Sequence, residues 1–308
     1  MSQYTTLERN RYFEVLGSLN VENRGDNKVA MLSELDMTSA QALRASVNQQ
    51  TGIKPSYTAI VAKAISIALR EHPYANRMAV ERLFWKRILQ LHEVHMTIAV
   101  ERDRPGIEQA VFAGTIRDTD KLDVAAITRE LQDLAQSTEE TNDRWRLLKR
   151  MVETLPPSLA RRLISIPRWF PDQWIKHRGG AVMISSPAKY GVDMMVANWP
   201  WPIGYSFGLV KDRVIAVEGV PLVRPTMVLT MSFDRRLMGG APAARFFRAV
   251  CGHIEHAERD MALAPETGVK KNVMFAVPPT EVSSGGKIAS PSKGIPFRSG
   301  RLEGKSSS

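Results

Sequence analysis

Alternating apolar and polar positions mark the strands of this chain, and apolar positions three or four apart mark its helices. Met227, Leu229, Met231 and Phe233 alternate with Val228, Thr230 and Ser232, the period of two that gives a strand one oily face. Gly239-Gly240 then interrupts the pattern, and Ala243, Phe246 or Phe247, Val250 and Ile254 recur at helical spacing. A strand over 226–233, a tight turn and a helix are therefore predicted. Upstream, Lys28 to Asp36 reads as a strand, and Thr38 is expected to cap a helix running to about Asn48. Ser56 caps a second helix, lined by Ile60, Ala64, Ile67 and Ala68 and stopped by His72-Pro73. Strands are predicted over 79–85, 93–101, 107–115, 181–186, 205–209 and 213–217, with an amphipathic helix over 122–136. The sum is an α+β chain of roughly eight strands with three or four long helices. Residues 1–27 are polar and irregular, with a weak helical pattern around Tyr12, Val15 and Leu16, and read as a peripheral lead-in.

Composition adds a few limits. The 308 residues, 44% hydrophobic and 24% charged, suit one large domain or two small ones. No run approaches the roughly 18 apolar residues of a membrane span, and the N-terminal stretch lacks the apolar core of a signal peptide. The single cysteine, Cys251, falls on the oily side of the last helix. It rules out an internal disulfide and a thiolate metal cluster, fits a reducing cytoplasm, and reads as a buried structural thiol. The net charge of +10 is concentrated in two places. Residues 141–178 carry nine Lys or Arg against three Asp or Glu, and residues 268–308 carry seven against two. That locality argues against a nucleic-acid-binding core. The 268–308 stretch is rich in Gly, Ser, Pro and Lys and is expected to be a disordered basic tail, without the interleaved aromatics that stack on bases.

The run Met231-Ser-Phe-Asp-Arg-Arg-Leu-Met-Gly-Gly-Ala-Pro-Ala-Ala-Arg-Phe-Phe247 resembles the signature of the dihydrolipoyl acyltransferases of 2-oxoacid dehydrogenase complexes and of chloramphenicol acetyltransferases. That family writes it Asp-His-Arg-x-x-Asp-Gly, followed by an Ala-rich helix with Ala-Ala-Arg-Phe. Asp234, Arg236, Gly240, Ala243, Ala244, Arg245 and Phe246 match; the family's His falls on Arg235 and its second Asp on Gly239. Earlier blocks match in order: Glu34 to Thr38, Ser56-Tyr57-Thr58, Lys63-Ala64 through His72-Pro73, the strand Val94 to Val100, and Gly179-Gly180 with the strand after it. The resemblance covers about 28–260. It implies an acyltransferase-like domain over 28–267 with the chloramphenicol-acetyltransferase-like two-layer sandwich and a mixed β-sheet. It further implies a homotrimer with active sites between subunits, and a small-molecule acyl donor and acceptor entering from opposite ends of a channel, the donor being a coenzyme A thioester. No lipoyl domain or covalent lipoyl site is read in the chain.

Acyl transfer needs a base for the acceptor proton and a donor to hold the tetrahedral oxyanion. In the family the His is the base, a strand hydroxyl supports the oxyanion, and the second Asp pairs with the Arg to hold the loop. Carried over, Ser185 takes the hydroxyl position, Arg236 is the structural Arg and Asp234 opens the motif, but Gly239 offers Arg236 no partner. Arg235 cannot act as a base near neutral pH, though a guanidinium suits a carboxylate, a phosphate or the charged part of a coenzyme A-like ligand. Two readings follow: acyl transfer that does without the usual base, and a catalytically inactive relative that binds a ligand or scaffolds a partner. Among the other histidines, His92 and His95 flank a strand start without a third ligand motif, so a hydrogen-bonded role outweighs metal binding. His256 and Asp260 read as an ordinary i, i+4 helical pair. The basic 141–178 segment, with Trp145, Trp169 and Trp174, departs from the family. Its prolines at 156, 157, 167 and 171 cut it into short helices, and three readings stand open: a packed helical cap, an interfacial segment on an anionic membrane, or a docking surface for another protein.

Overall fold

In the computed structural model, which describes residues 28–82, 85–104 and 107–263, the chain opens on β1 (Lys28–Asp36) and enters α1 (Thr38–Thr51). Thr38 is the first helical residue rather than the cap. The capping oxygen is Asp36 Oδ1, which accepts from the Thr38 backbone N–H at 2.8 Å and from its hydroxyl at 2.5 Å. An Asp can serve from two residues back because its short carboxylate reaches the first free N–H groups of the helix. Ser56 does cap α2 (Tyr57–Glu71), accepting from Ala59 N at 3.1 Å. Next come β2 (Arg77–Arg82) and β3 (Trp85–Gln90), then β4 (Met96–Arg104) and β5 (Ile107–Ile116). The single strand expected over 79–85 is thus an antiparallel hairpin standing apart from the main sheet. Asp123 then caps α3 (Val124–Gln136) through a 2.7 Å bond from Ala126 N.

The basic segment forms α4 (Asp143–Thr154), α5 (Pro157–Ser165) and α6 (Pro171–Arg178), with proline at the start of the last two. Past it lie β6 (Val182–Ser185), β7 (Ile203–Phe207), β8 (Lys211–Val217), β9 (Val220–Asp234), α7 (Gly240–Glu255) and α8 (Ala257–Met261). The main sheet runs β1-β9-β7-β6-β4-β5, with β8 paired to the first half of β9. β6 is parallel to both β4 and β7 and the other pairings are antiparallel, so the sheet is mixed as expected. β9 starts six residues before the expected strand, because Pro221 and Pro225 interrupt a run that pairs with β8. Glu218 and Gly219, both at positive φ (51° and 82°), close that hairpin, the backbone a two-residue turn between twisted strands requires.

One sheet face carries Leu35, Met96, Ile184, Tyr205, Met227, Leu229, Met231 and Phe233, buried against Ile60, Ala64, Phe246 and Val250 of α2 and α7. The other face receives the basic segment. Trp145 packs with Phe112, Val152 and Ala160 and donates Nε1–H to Ala113 O at 3.1 Å. Trp174 packs with Met78, Met183 and Trp201 and donates to Gly180 O at 3.0 Å. Two of the three tryptophans are therefore anchors that fix the segment to the sheet, with the indole N–H satisfied as a buried ring requires. No helix among the described residues is long and apolar enough to cross a membrane. The lead-in over 1–27 and the tail over 268–308 lie outside the described residues.

Candidate active site

The motif sits where β9 hands over to α7. Alternation along β9 turns Met231 and Phe233 to the helices and leaves Thr230 and Ser232 on the other face, where they donate to Met195 O and Ala197 O at 2.7 and 2.8 Å. Leu237 and Met238 are buried and peg the turn, while Arg235 and Gly239 are exposed. Gly239 occupies the cap position of α7 with no side chain to serve it.

Arg236 is not left without a partner. Asp234 accepts from the Arg236 backbone N–H at 2.9 Å, from its Nε at 3.0 and 3.1 Å and from its Nη2 at 2.6 Å. The pairing that the family makes with a residue three beyond the Arg is made here with the residue two before it. Burial works against ionisation of Asp234, but the Arg236 hydrogen bonds and the charges of Arg236 and Lys28 outweigh it and hold the carboxyl below the usual range. Lys28, opposite Asp234 in the β1–β9 register, donates to Trp201 O at 2.5 Å and Pro202 O at 3.2 Å. Burial lowers its pKa to about 8 despite the opposing charge of Asp234, and the Arg236 charge adds to the fall. Sequence reasoning missed Lys28, since only the strand register brings it beneath the loop.

Arg235 makes no ion pair or hydrogen bond with a described residue, and neither does the hydroxyl of Ser185. The structure does not bring these two together. Ser185 ends β6 level with Ser206, and Ser206 is level with Thr230. Asp234 lies four residues further along β9 and two strands across. At about 3.3 Å per residue and about 4.8 Å per strand, the Ser185 backbone and that of the loop are roughly 16 Å apart in one chain.

His95, His253 and His256 are engaged elsewhere. His95 Nδ1 accepts from the Asp118 backbone N–H at 3.0 Å, and Nε2 lies 3.0 Å from Glu93 Oε2. Glu93, His95 and Asp118 each offer a ligand atom within 4.8 Å of the others. Acceptance at Nδ1, however, places the proton on Nε2 and removes the lone pair an ion would need there. The His256–Asp260 pair does not form. The Asp260 backbone N–H still reaches His256 O at 3.1 Å, but the His256 ring is turned back, with Nδ1 2.9 Å from Gly252 O. Asp260 instead meets His253 Nδ1 at 2.7 Å and Arg259 Nε at 2.7 Å, while His253 Nε2 lies 3.0 Å from Glu71.

The family model for the catalytic domain of the 2-oxoacid dehydrogenases acyltransferases matches residues 22–144 and 176–262, leaving out most of the Trp-rich segment. The chain is 24% identical over 242 residues to the dihydrolipoyllysine-residue succinyltransferase component of the 2-oxoglutarate dehydrogenase complex of Bartonella vinsonii subsp. berkhoffii, covering 76% of this chain and 50% of that one. It is 23% identical over 220 residues to the dihydrolipoyllysine-residue acetyltransferase component of the pyruvate dehydrogenase complex of Bacillus subtilis (strain 168), covering 70% and 42%. The chain spans about half the length of the curated relatives it matches. Among solved structures, a probable dihydrolipoamide acetyltransferase from Listeria monocytogenes 4b F2365 superposes with a TM-score of 0.61 at 18% identity, over 85% of this chain and 98% of that one. That superposition shows a shared fold.

Proposed function

The chain belongs to the 2-oxoacid dehydrogenases acyltransferase family, catalytic domain, and on that premise we propose that it moves an acyl group from a coenzyme A thioester to a thiol acceptor, as a cytoplasmic homotrimer. The separation of Ser185 from Arg235 within one chain carries this reading, because it supports a site built across a subunit boundary. Ser185, with its hydroxyl unengaged, donates to the oxyanion of the tetrahedral intermediate. The Asp234–Arg236 clamp holds the loop. Arg235 presents an unpaired guanidinium where the family has its base, and this narrows the acceptor. An alcohol cannot lose its proton without a base, whereas a thiol with a pKa of about 8.5 is partly ionised near neutrality and more so beside a cation. The acceptor proton goes to water. The thiolate sulfur attacks the thioester carbonyl, the carbon–sulfur bond to coenzyme A breaks, and coenzyme A leaves as its thiolate.

Coenzyme A release from acetyl-CoA, followed by mass spectrometry against a panel of thiols and matched alcohols, tests this. Release with thiols only, rising with pH through the thiol pKa and lost in Ser185→Ala, is expected. The second reading, a ligand-binding relative without turnover, is favoured by the missing base at 235 and missing acid at 239. It predicts a silent wild type that gains turnover as Arg235→His, Gly239→Asp.

A further inference from the structure

Four basic side chains converge at the far end of the sheet from three separate elements. Trp145 Nε1 bonded to Ala113 O seats the start of α4, and hence Arg144, over the end of β5. Arg117 follows directly after β5, and its Nη2 reaches Ile175 O on α6 at 3.4 Å, which brings it beside Lys176 and His177. None of the four makes an ion pair with a carboxylate among the described residues. The two acids adjacent in sequence are paired elsewhere, Asp118 with Lys121 at 3.2 Å and Asp143 with Arg146 at 3.0 Å. Arg144 and His177 are partly shielded from water, while Arg117 and Lys176 are exposed.

Like charges gathered in this way repel one another, and the ionisable groups register it. Burial, followed by the charge of Arg117, lowers the pKa of Arg144. Burial, followed by the charges of Lys176 and Arg144, lowers that of His177. Holding cations together without an acid is unfavourable unless an anion joins them.

We propose that Arg117, Arg144, Lys176 and His177 bind a phosphate-bearing anion. Two guanidinium forks suit the several oxygens of a phosphate better than the two of a carboxylate, and the lysine and imidazole add point donors from a third side. The cluster lies four strands across the sheet from the Arg235 loop, roughly 19 Å at about 4.8 Å per strand. It therefore stands whether or not acyl transfer occurs. The phosphate is either that of a soluble molecule or a lipid headgroup, and the two sources are separable.

The test uses the full chain. Inorganic phosphate and pyrophosphate are titrated while the His177 imidazole is followed by NMR, with glutarate as the dicarboxylate control. Vesicles of phosphatidylcholine with and without phosphatidic acid are sedimented in parallel. Binding should raise the His177 titration, against Arg144 facing it from α4, Arg117 from the end of β5 and Lys176 on its own helix. The exposed pair change Arg117→Gln, Lys176→Gln, which leaves both buried tryptophans untouched, should weaken binding by about tenfold or more. Response to the soluble anions assigns a free phosphate compound; response only to phosphatidic acid vesicles assigns a lipid headgroup. Glutarate binding as tightly as pyrophosphate, no response in either arm, or binding unchanged in the variant would overturn the proposal.

Discussion

Replacing Lys28 by Met should change the way stability depends on pH. The Lys28 ammonium is buried beneath the Arg235 loop, and its pKa falls from 10.5 to about 8. A lowered lysine pKa means the folded state resists protonation more than the unfolded chain does. Between about pH 8 and 10.5 the unfolded state binds more protons, so the native state gains stability as pH rises through that window. Below it the full penalty applies, roughly 3 kcal/mol at about 1.4 kcal/mol per tenfold change. Roughly 2 kcal/mol of this is recovered between pH 7.5 and 9.5. Met keeps most of the apolar stem and removes the titration. Urea unfolding of both proteins, at one protein concentration because assembly affects apparent stability, should show wild type gaining about 2 kcal/mol on the variant across that interval. A gap that stays constant would mean that Lys28 reaches water and is not a penalised ammonium, and the description of the clamp would be wrong.

Three further outcomes are expected. The Tyr205 hydroxyl is fully buried without a hydrogen-bond partner among the described residues, so Tyr205→Phe should raise stability by about 1–2 kcal/mol in urea unfolding; a loss would show that the hydroxyl is engaged. Trp145→Ala removes the ring that seats α4 on Phe112 and Ala113, and should cost about 3–5 kcal/mol and open 141–178 to limited proteolysis; unchanged digestion would refute its role as an anchor. Burial first, and then the charge of Glu255, pushes the Cys251 thiol up to about 12. Folded protein should therefore resist iodoacetamide at pH 8 and react only in denaturant, and rapid alkylation of the native state would contradict that burial.

The parts of the fold that were legible in sequence are those where side-chain alternation and backbone punctuation agree. The second half of β9 and α7 were readable because Met227 to Phe233 alternate and Gly239-Gly240 separates them from a helical repeat. The β2–β3 hairpin was not, because no Gly, Pro, Asn or Asp falls between Arg82 and Trp85 to signal a turn. For the tryptophans of 141–178, an anchor in the core and a belt at a membrane look alike until packing is known. Trp145 and Trp174 prove to be anchors; Arg178 is buried over the Trp174 ring with its Nη2 donating to Ile164 O at 3.0 Å, while Arg146, Arg150 and Lys176 face outward. At the site, the resemblance of the 231–247 run to the family's motif singled out Asp234, Arg235 and Arg236. Their company depended on register: it pairs Asp234 with Lys28 from the other end of the chain, and it keeps Ser185 away from Arg235.

That last separation makes the most direct measurement a complementation. Ser185→Ala and Arg235→Glu chains are each assayed alone for thiol-dependent release of coenzyme A from acetyl-CoA, and then co-expressed so that they assemble at random. If each site draws its serine from one copy and its arginine from another, the separate variants are inactive. The mixed assembly then recovers up to about a quarter of wild-type turnover, the share of boundaries that unite two intact partners. Mixed assemblies as silent as the parents, beside an active wild type, would contradict a site shared between copies; a wild type that releases no coenzyme A with any thiol would contradict the acyl-transfer reading itself.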